Sequence, residues 1–157
     1  MSLLDIDERL LELAEWIEFD RSPLTDIKHC GQCDIGLIEG GVSNRENVQV
    51  LQEFRQCCRT LVAVGACAIT GGIPAMRNSC ELIECLEESF IVAPGTINGQ
   101  IPSDPELPKL LDKVYPIQDV VAIDYFLPGC PPSAEAIWQF LCQLKAGEKP
   151  QLQGDLL

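Results

Sequence analysis

Residues 60–65 (TLVAVG) form a short apolar run that leads directly into a loop containing Cys67, Gly71 and Gly72. Short apolar runs bounded by turn residues are typical of strands that are buried on both faces of a parallel sheet. The chain has two further runs of this kind, residues 34–39 (DIGLIE) and 119–127 (DVVAIDYFL). The sequence therefore predicts at least three buried strands, each followed by a loop rich in Gly or Pro.

Amphipathic helices are predicted between these strands. Ser43 with Glu46, and Asn78 with Glu81, form capping-box patterns at the starts of two of them. Residues 17–22 read as a short extended stretch and residues 92–116 as a long surface loop. The predicted helices span residues 2–16 (capped by Ser2 and Asp5), 43–58, 78–90 and 134–145. Alternating strands and helices predict a single doubly wound α/β domain over residues 1–157.

The order of elements at the amino-terminal end is unusual for such a domain. The chain opens on a predicted helix, whereas a doubly wound domain normally opens with a strand that becomes central in the sheet. Without that strand, the predicted strands at Ile17 and Asp34 would flank an empty slot with unpaired backbone groups. We therefore expect this sequence to lack the first strand of its fold, or another segment to fill the gap.

Composition excludes several classes of function. The 157 residues include 24 acidic and 11 basic ones, for a net charge of −13, which argues against nucleic acid or an anionic membrane surface as partner. No apolar run reaches the roughly 20 residues of a membrane-spanning helix, and no export leader is present, so we expect a cytoplasmic protein without membrane insertion. His29 is the only histidine, which excludes a two-histidine metal site, and no nucleotide-binding glycine motif occurs.

Nine cysteines in a chain without an export signal favour metal or redox chemistry over disulfides. Cys67 and Cys130 each follow a predicted strand, and so does Glu39. Because the carboxyl ends of parallel strands meet at one edge of the sheet, we expect these three residues to converge. Each has an alternative role: Cys67 as a buried packing residue, Cys130 as part of a rigid Pro-rich turn, and Glu39 as a solvated strand end rather than a proton relay or a contact to another subunit.

Cys30 and Cys33 form a CxxC motif, which serves as half of a zinc site, as a redox dithiol or as a cluster pair. Cys57 and Cys58 are the only dense second pair, but adjacent residues of a helix point about 100° apart and could hardly share one ion. The motif also precedes a strand, whereas a thioredoxin-type dithiol opens a helix. We assign helical packing roles to the remaining cysteines, which are Cys57, Cys58, Cys80, Cys85 and Cys142.

Five segments in order resemble the small subunit of cytosolic [NiFe]-hydrogenases of the bidirectional, NAD-reducing type, which is related to the 20-kDa subunit of NADH:ubiquinone oxidoreductase. These segments are residues 1–10 (MSLLDIDERL), 37–42 (LIEGGV), 64–68 (VGACA), 72–78 (GIPAMRN) and 128–132 (PGCPP). The resemblance implies a flavodoxin-like fold and one [4Fe–4S] cluster. It also implies two kinds of partner, a large subunit that holds the Ni–Fe centre and iron–sulfur and flavin diaphorase subunits that reduce NAD⁺.

The resemblance also implies roles for particular residues. Cys67 and Cys130 match two cluster ligands of the family, and the other two ligands are expected in a CxxC upstream of Met1. Glu39 matches a glutamate near the cluster and the large-subunit interface. Cys30 and Cys33 are weak alternative ligands, because they stand at a different place in the topology.

From these observations we predict an electron-transfer subunit of an oxidoreductase complex, without catalysis of its own. Two alternatives remain open from the sequence. One is a cluster-free scaffold subunit of the same complex, and the other is a small thiol oxidoreductase that uses Cys30 and Cys33.

Overall fold

The computed structural model describes residues 4–21 and 29–151. Five strands and five α-helices follow one another along these residues. In chain order they are α1 (Arg9–Ala14), β1 (Cys33–Glu39), β2 (Val42–Asn44), α2 (Arg45–Cys57), β3 (Cys58–Val64), α3 (Gly65–Thr70), α4 (Leu82–Glu87), β4 (Leu110–Tyr115), β5 (Tyr125–Leu127) and α5 (Ala134–Lys145).

Strands β1, β3 and β5 form a parallel sheet with β3 in the centre. Cys33 at the start of β1 lies opposite Cys58 at the start of β3, and Glu39 lies opposite Val64 where both strands end. Val64 also lies opposite Leu127, the last residue of β5. We call the side where the three strands start the amino edge, and the side where they end the carboxyl edge.

Strand β3 is buried on both of its faces. Val62 is completely buried in a cluster with residues of α1 and α5, whereas Leu61 and Ala63, also completely buried, belong to a cluster with residues of α2 and α3. Successive side chains of a strand point to opposite faces, so the central strand requires apolar cover on both sides. The helices supply it, and the predicted doubly wound α/β architecture is confirmed.

Helix α5 forms where the sequence predicted it. The Ser133 hydroxyl oxygen accepts a hydrogen bond from the Ala136 backbone N–H (3.2 Å), which satisfies one of the free donors of the first turn. Its buried side chains recur at helical spacing and pack against β3 and β5; they are Ala136, Ile137, Phe140 and Leu141.

Helix α2 begins one residue later than the capping box predicted. Asn44, not Ser43, is the cap, because its side-chain oxygen accepts a hydrogen bond from the Asn47 N–H (2.8 Å). Ser43 instead contacts the Asn47 side chain through its own N–H and hydroxyl (3.1 Å each). The helix ends at Cys57, so the prediction that Cys58 is helical is wrong: Cys58 is the first residue of β3.

Asn78 does not cap a helix as predicted. It lies in a 3₁₀ segment, Ile73–Ser79, and its side chain donates to the Val114 carbonyl and accepts from the Val114 N–H (2.8 Å each). Helix α4 instead starts with a reciprocal capping box between Glu81 and Glu84, and a π-helical turn, Glu88–Val92, follows it.

The predicted loop over residues 92–116 contains a strand. Strand β4 pairs antiparallel with β2, with Val42 opposite Tyr115, and this pair forms a second, two-stranded sheet. Arg77 further holds β4 by donating to the Leu111 carbonyl (2.9 Å). The loop prediction failed because the partner strand of β4 lies about 70 residues earlier in the chain.

The third predicted strand, over residues 119–127, is shorter than expected. Only Tyr125–Leu127 pair with β3, and Ile117–Asp119 form a 3₁₀ turn. Asp124 takes the place of a strand residue, because its N–H donates to the Leu61 carbonyl (2.9 Å) while its carboxylate accepts from the Leu61 N–H (2.8 Å).

The amino-terminal helix is split. Leu4–Ile6 form a 3₁₀ turn, Asp7 has a positive φ of 54°, and α1 follows. The predicted cap Ser2 and position 22 of the predicted extended stretch lie outside the described residues, and residues 17–21 are not strand. Among residues 4–21 and 29–151, no strand pairs with the outer side of β1, where Ile35 and Leu37 are partly exposed.

Candidate functional site

The carboxyl edge brings the loops of Cys67 and Cys130 together. Helix α3 starts directly after β3 and carries Cys67 in its first turn, while Cys130 follows β5. The Ala66 N–H donates a hydrogen bond to the Gly129 carbonyl (2.7 Å), which joins the residue before each cysteine. Cys67 is half-buried and Cys130 is exposed, so both thiols stand at the same accessible edge of the sheet.

Two glycines are required for this arrangement. Gly72 has a φ of 52°, and a Cβ at this position would lie 2.7 Å from the Cys67 sulfur. Gly129 has a φ of 139°, and a Cβ there would lie 2.4 Å from the Cα of Pro132. Any larger residue would therefore shift the backbone of one loop or the other, and glycine keeps the space beside the Cys67 sulfur open.

Glu39 lies at the same edge. It is the last residue of β1, opposite Val64 of β3, and its side chain is exposed. The loop after β1 touches that of Cys67, because a Cβ on Gly41 would lie 3.3 Å from the Cys67 carbonyl oxygen. The structure thus places Glu39, Cys67 and Cys130 on adjoining segments where β1, β3 and β5 end.

Apolar side chains are exposed beside Cys67. The 3₁₀ segment that starts directly after Gly72 presents Ile73 and Met76, which are 73% and 71% exposed. Large contiguous patches of exposed apolar side chains are typical of surfaces that other proteins cover. We call Ile73 and Met76 the apolar rim of the carboxyl edge.

A second group of cysteines lies at the amino edge. The sulfurs of Cys30, Cys33 and Cys58 all lie within 4.8 Å of one another, and those of Cys33 and Cys58 are 2.8 Å apart. The Cys57 thiol donates to the Cys30 carbonyl (3.4 Å). We call Cys30, Cys33 and Cys58 the thiol triad.

Burial raises the pKa of each of three cysteines at this edge. Burial is the main cause of the raised pKa of Cys58, which is 4% exposed, and the hydrogen bond with Cys33 raises that pKa further. Desolvation also raises the pKa of Cys57 and that of Cys30. For Cys30, the neighbouring Cys33 is the next cause. These groups are therefore neutral thiols at pH 7 unless a cation holds them in the charged form.

Sequence reasoning missed the thiol triad because it placed Cys58 on a helix. The sequence holds part of the signal, but that signal also needs the register of β1 against β3, which the structure supplies. Glu39 and Val64 each end an apolar run, and counting back six residues from both leads to Cys33 and Cys58, which the structure pairs. Cys30 and Cys33 consequently lie at the opposite end of the sheet from Cys67.

The other three cysteines are not brought together. Cys85 and Cys142 lie on α4 and α5, whereas Cys80 is exposed at the end of a 3₁₀ segment rather than on a helix as predicted. In the part of the chain that the structure describes, no helix is both long enough and apolar enough to cross a membrane.

Comparisons with known proteins agree with this architecture. The delta subunit of the NAD-reducing hydrogenase HoxS from Cupriavidus necator is 48% identical over 151 residues, which cover 94% of this chain and 72% of that protein. A subunit of the F420-non-reducing hydrogenase of Methanothermobacter marburgensis is 36% identical over 97% of this chain, which spans only 51% of that relative.

A solved structure is similar over the whole chain. A chain of an NAD⁺-reducing [NiFe]-hydrogenase in the H₂-reduced state has 54% sequence identity and a TM-score of 0.98, with 100% of this chain and 89% of that one covered. The relatives named here are thus subunits of hydrogenases, which are oxidoreductase complexes. Residues 1–144 match the family described as NADH ubiquinone oxidoreductase, 20 Kd subunit. The resemblance expected from the five sequence segments is confirmed, and the chain belongs to this family.

Proposed function

We propose that this chain is the electron-transfer subunit of a soluble, NAD-reducing [NiFe]-hydrogenase and that Cys67 and Cys130 provide two ligands of one [4Fe–4S] cluster. The observation that carries the proposal is the hydrogen bond between Ala66 and Gly129, which joins the two cysteine loops at the carboxyl edge. Such a cluster, when bound, accepts and donates single electrons.

The residues at this edge fit two corners of a cluster. Thiolates are the donors that iron–sulfur clusters require, and both thiols stand where strands end, Cys67 in the first turn of α3 and Cys130 in the loop after β5. Gly72 leaves the volume beside the Cys67 sulfur without a side chain. The rigid Pro-rich loop around Cys130 would keep that sulfur in place while the charge of the bound group changes.

The carboxyl edge also offers a surface for a large subunit that holds a Ni–Fe centre. The apolar rim would be covered by that subunit, and the exposed carboxylate of Glu39 would hydrogen-bond to it or relay protons. Burying both rim side chains would contribute about 2–4 kcal/mol to association before the entropy cost of binding.

The remaining partners in this proposal are iron–sulfur and flavin diaphorase subunits that pass electrons to NAD⁺. We further propose that the complex works in the cytoplasm and without membrane insertion. The proposed membership in an NAD-reducing complex is supported by the solved hydrogenase with a TM-score of 0.98 and by the HoxS delta subunit, because both belong to NAD-reducing hydrogenases.

The test is made on the whole complex, purified anaerobically with its large subunit. Iron and sulfide are counted per complex, and electron paramagnetic resonance spectra are recorded after reduction. We expect Cys67→Ala and Cys130→Ala each to lower the iron content by about four atoms and to abolish one reduced-cluster signal. The matched control is Cys80→Ala, since Cys80 is also an exposed free thiol but belongs to neither of the segments that the Ala66–Gly129 hydrogen bond joins.

Two results would decide against the proposal. If both variants assemble and keep the iron and the signal of the unmodified complex, these residues are not cluster ligands. If the fully assembled complex shows no reduced-cluster signal that is lost in the Cys67 or Cys130 variants, the chain is a cluster-free scaffold.

A further inference from the structure

The thiol triad at the amino edge is a second candidate site, separate from the one proposed above. Cys33 and Cys58 are paired by strand register, and Cys30 reaches them from the loop before β1. Three side chains of the residue type that binds soft metal ions thus converge, although they come from two distant parts of the chain.

The space around the triad suits a metal ion. A cavity of about 400 Å³ opens at this edge and is lined by Cys33, Cys57 and Cys58 among others. Gly36 leaves room for the Cys58 sulfur itself, because a Cβ there would lie 2.6 Å from it. Cys57 also lines this cavity and would be available as the fourth ligand of a tetrahedral site.

The spacing of the sulfurs agrees with one tetrahedral zinc ion. Zinc–sulfur bonds of about 2.3 Å place the sulfurs of such a site roughly 3.8 Å apart. The triad sulfurs lie within 4.8 Å of one another, with one pair at 2.8 Å, so small side-chain rotations would suffice.

The triad cannot share a cluster with Cys67. Six residue steps separate Cys58 from Val64 along β3, and at about 3.3 Å for each step the two edges are roughly 20 Å apart. A metal bound to the triad would therefore be a second centre.

We propose that Cys30, Cys33 and Cys58 bind one Zn²⁺ ion at the amino edge. Each thiol that becomes a ligand gives up its proton to solvent, and neither the ion nor the protein changes oxidation state. The ion would tie the loop before β1 to the start of β3, and so fix a segment that is otherwise held by contacts such as the hydrogen bond from the Gly31 N–H to the Asp20 carboxylate (2.8 Å).

The test measures zinc and iron separately in the complex purified under reducing, anaerobic conditions. We expect one zinc per chain. In Cys30→Ala the zinc dissociation constant should rise about 100-fold or more. Even the loss of a residue that only hydrogen-bonds to a metal ligand lowers metal affinity about 10- to 100-fold. Cys30 is only half-buried and lies in a loop, so this variant is the safer one for folding; Cys58→Ala is the second.

Cobalt replacement provides an independent readout. Co²⁺ bound by three or four sulfurs should give strong thiolate-to-metal absorption, and Cys30→Ala should weaken it while Cys80→Ala leaves it unchanged. The iron content should stay the same in the Cys30 and Cys58 variants, and the zinc content should stay the same in Cys130→Ala. Failure of this inference is thereby distinguishable from failure of the proposed cluster.

Two outcomes would overturn the inference. One is the absence of stoichiometric zinc together with no sulfur-to-cobalt absorption after incubation with Co²⁺. The other is a Cys33–Cys58 disulfide in protein isolated without oxidant, found by mass spectrometry after alkylation of free thiols.

Discussion

The two edges of the parallel sheet carry cysteines in opposite settings. At the amino edge, the sulfurs of Cys33 and Cys58 already touch, and Cys58 is buried. At the carboxyl edge, Cys67 lies in the first turn of α3 beside exposed apolar side chains, and Cys130 lies in the loop after β5. The amino edge is thus suited to a site that this chain closes by itself, whereas the carboxyl edge is suited to a site that other segments and subunits complete.

The largest effect should come from a change that damages both edges at once. Leu61 is completely buried in the middle of β3, the strand that links the two edges. We expect Leu61→Ala to lower the free energy of unfolding by about 3 kcal/mol, because it leaves a cavity in the core. Urea unfolding measures the change, and iron and zinc contents should fall together.

The control for this variant is Arg59→Ala, an exposed position on the same strand, which should change the free energy of unfolding by less than about 0.5 kcal/mol. Loss of one metal with full retention of the other in Leu61→Ala would show that the edges do not depend on a common core.

A smaller effect, confined to the carboxyl edge, is expected for Gly72→Ala. The new Cβ would meet the Cys67 sulfur at 2.7 Å, and the positive φ adds backbone strain. Together these should cost about 2 kcal/mol and lower the iron content, with zinc unchanged. Gly147→Ala is the matched control, because Gly147 also has a positive φ but a Cβ there would meet nothing within 4 Å.

The control should cost about 1 kcal/mol, from backbone strain alone, and leave the iron content intact. Equal iron contents in the Gly72 and Gly147 variants would mean that the space beside the Cys67 sulfur is not used.

The smallest effect should be a pH dependence at the amino edge. The hydrogen bond from Arg55, and next the one from the Leu61 N–H, lower the pKa of Asp124. Because the pKa is lower in the folded state, the stabilisation is present above the unfolded value near 4 and is lost as the pH falls through the folded value. We expect Asp124→Asn to cost about 1 kcal/mol at pH 7, since the carboxylate is 44% exposed, and less at about pH 3.

Urea unfolding of both proteins at the two pH values measures this difference. In an Arg55→Gln background, Asp124→Asn should cost less at pH 7. A cost that is the same at both pH values would rule out the ion pair as its source.

Local patterns explain which elements were predictable. Helix α5 was predicted with its observed bounds because its apolar residues recur at helical spacing, a pattern that lies within the helix itself. Strand β4 was predicted as a loop because it exists only through its pairing with β2. Strand β5 was predicted too long because Asp124 bonds to β3 through its side chain as well as its backbone, which no local pattern reveals.

The same distinction applies to the sites. The positions of Cys67 and Cys130 after strand ends were readable from the chain, because strand direction alone brings such loops to one edge. The pairing of Cys33 with Cys58 could not be read from the chain, because the apolar pattern did not mark where α2 ends and β3 begins.

The sequence by itself determined the three strands of the parallel sheet, the acidic character of the chain, and the edge at which each strand-end residue would lie. These properties follow from residue spacing and net charge, which need no knowledge of contacts. Only the tertiary structure decided the register between β1 and β3, and with it the thiol triad. Register is set by apolar burial and hydrogen bonds between segments about 25 residues apart, and those energies exist only once the segments meet.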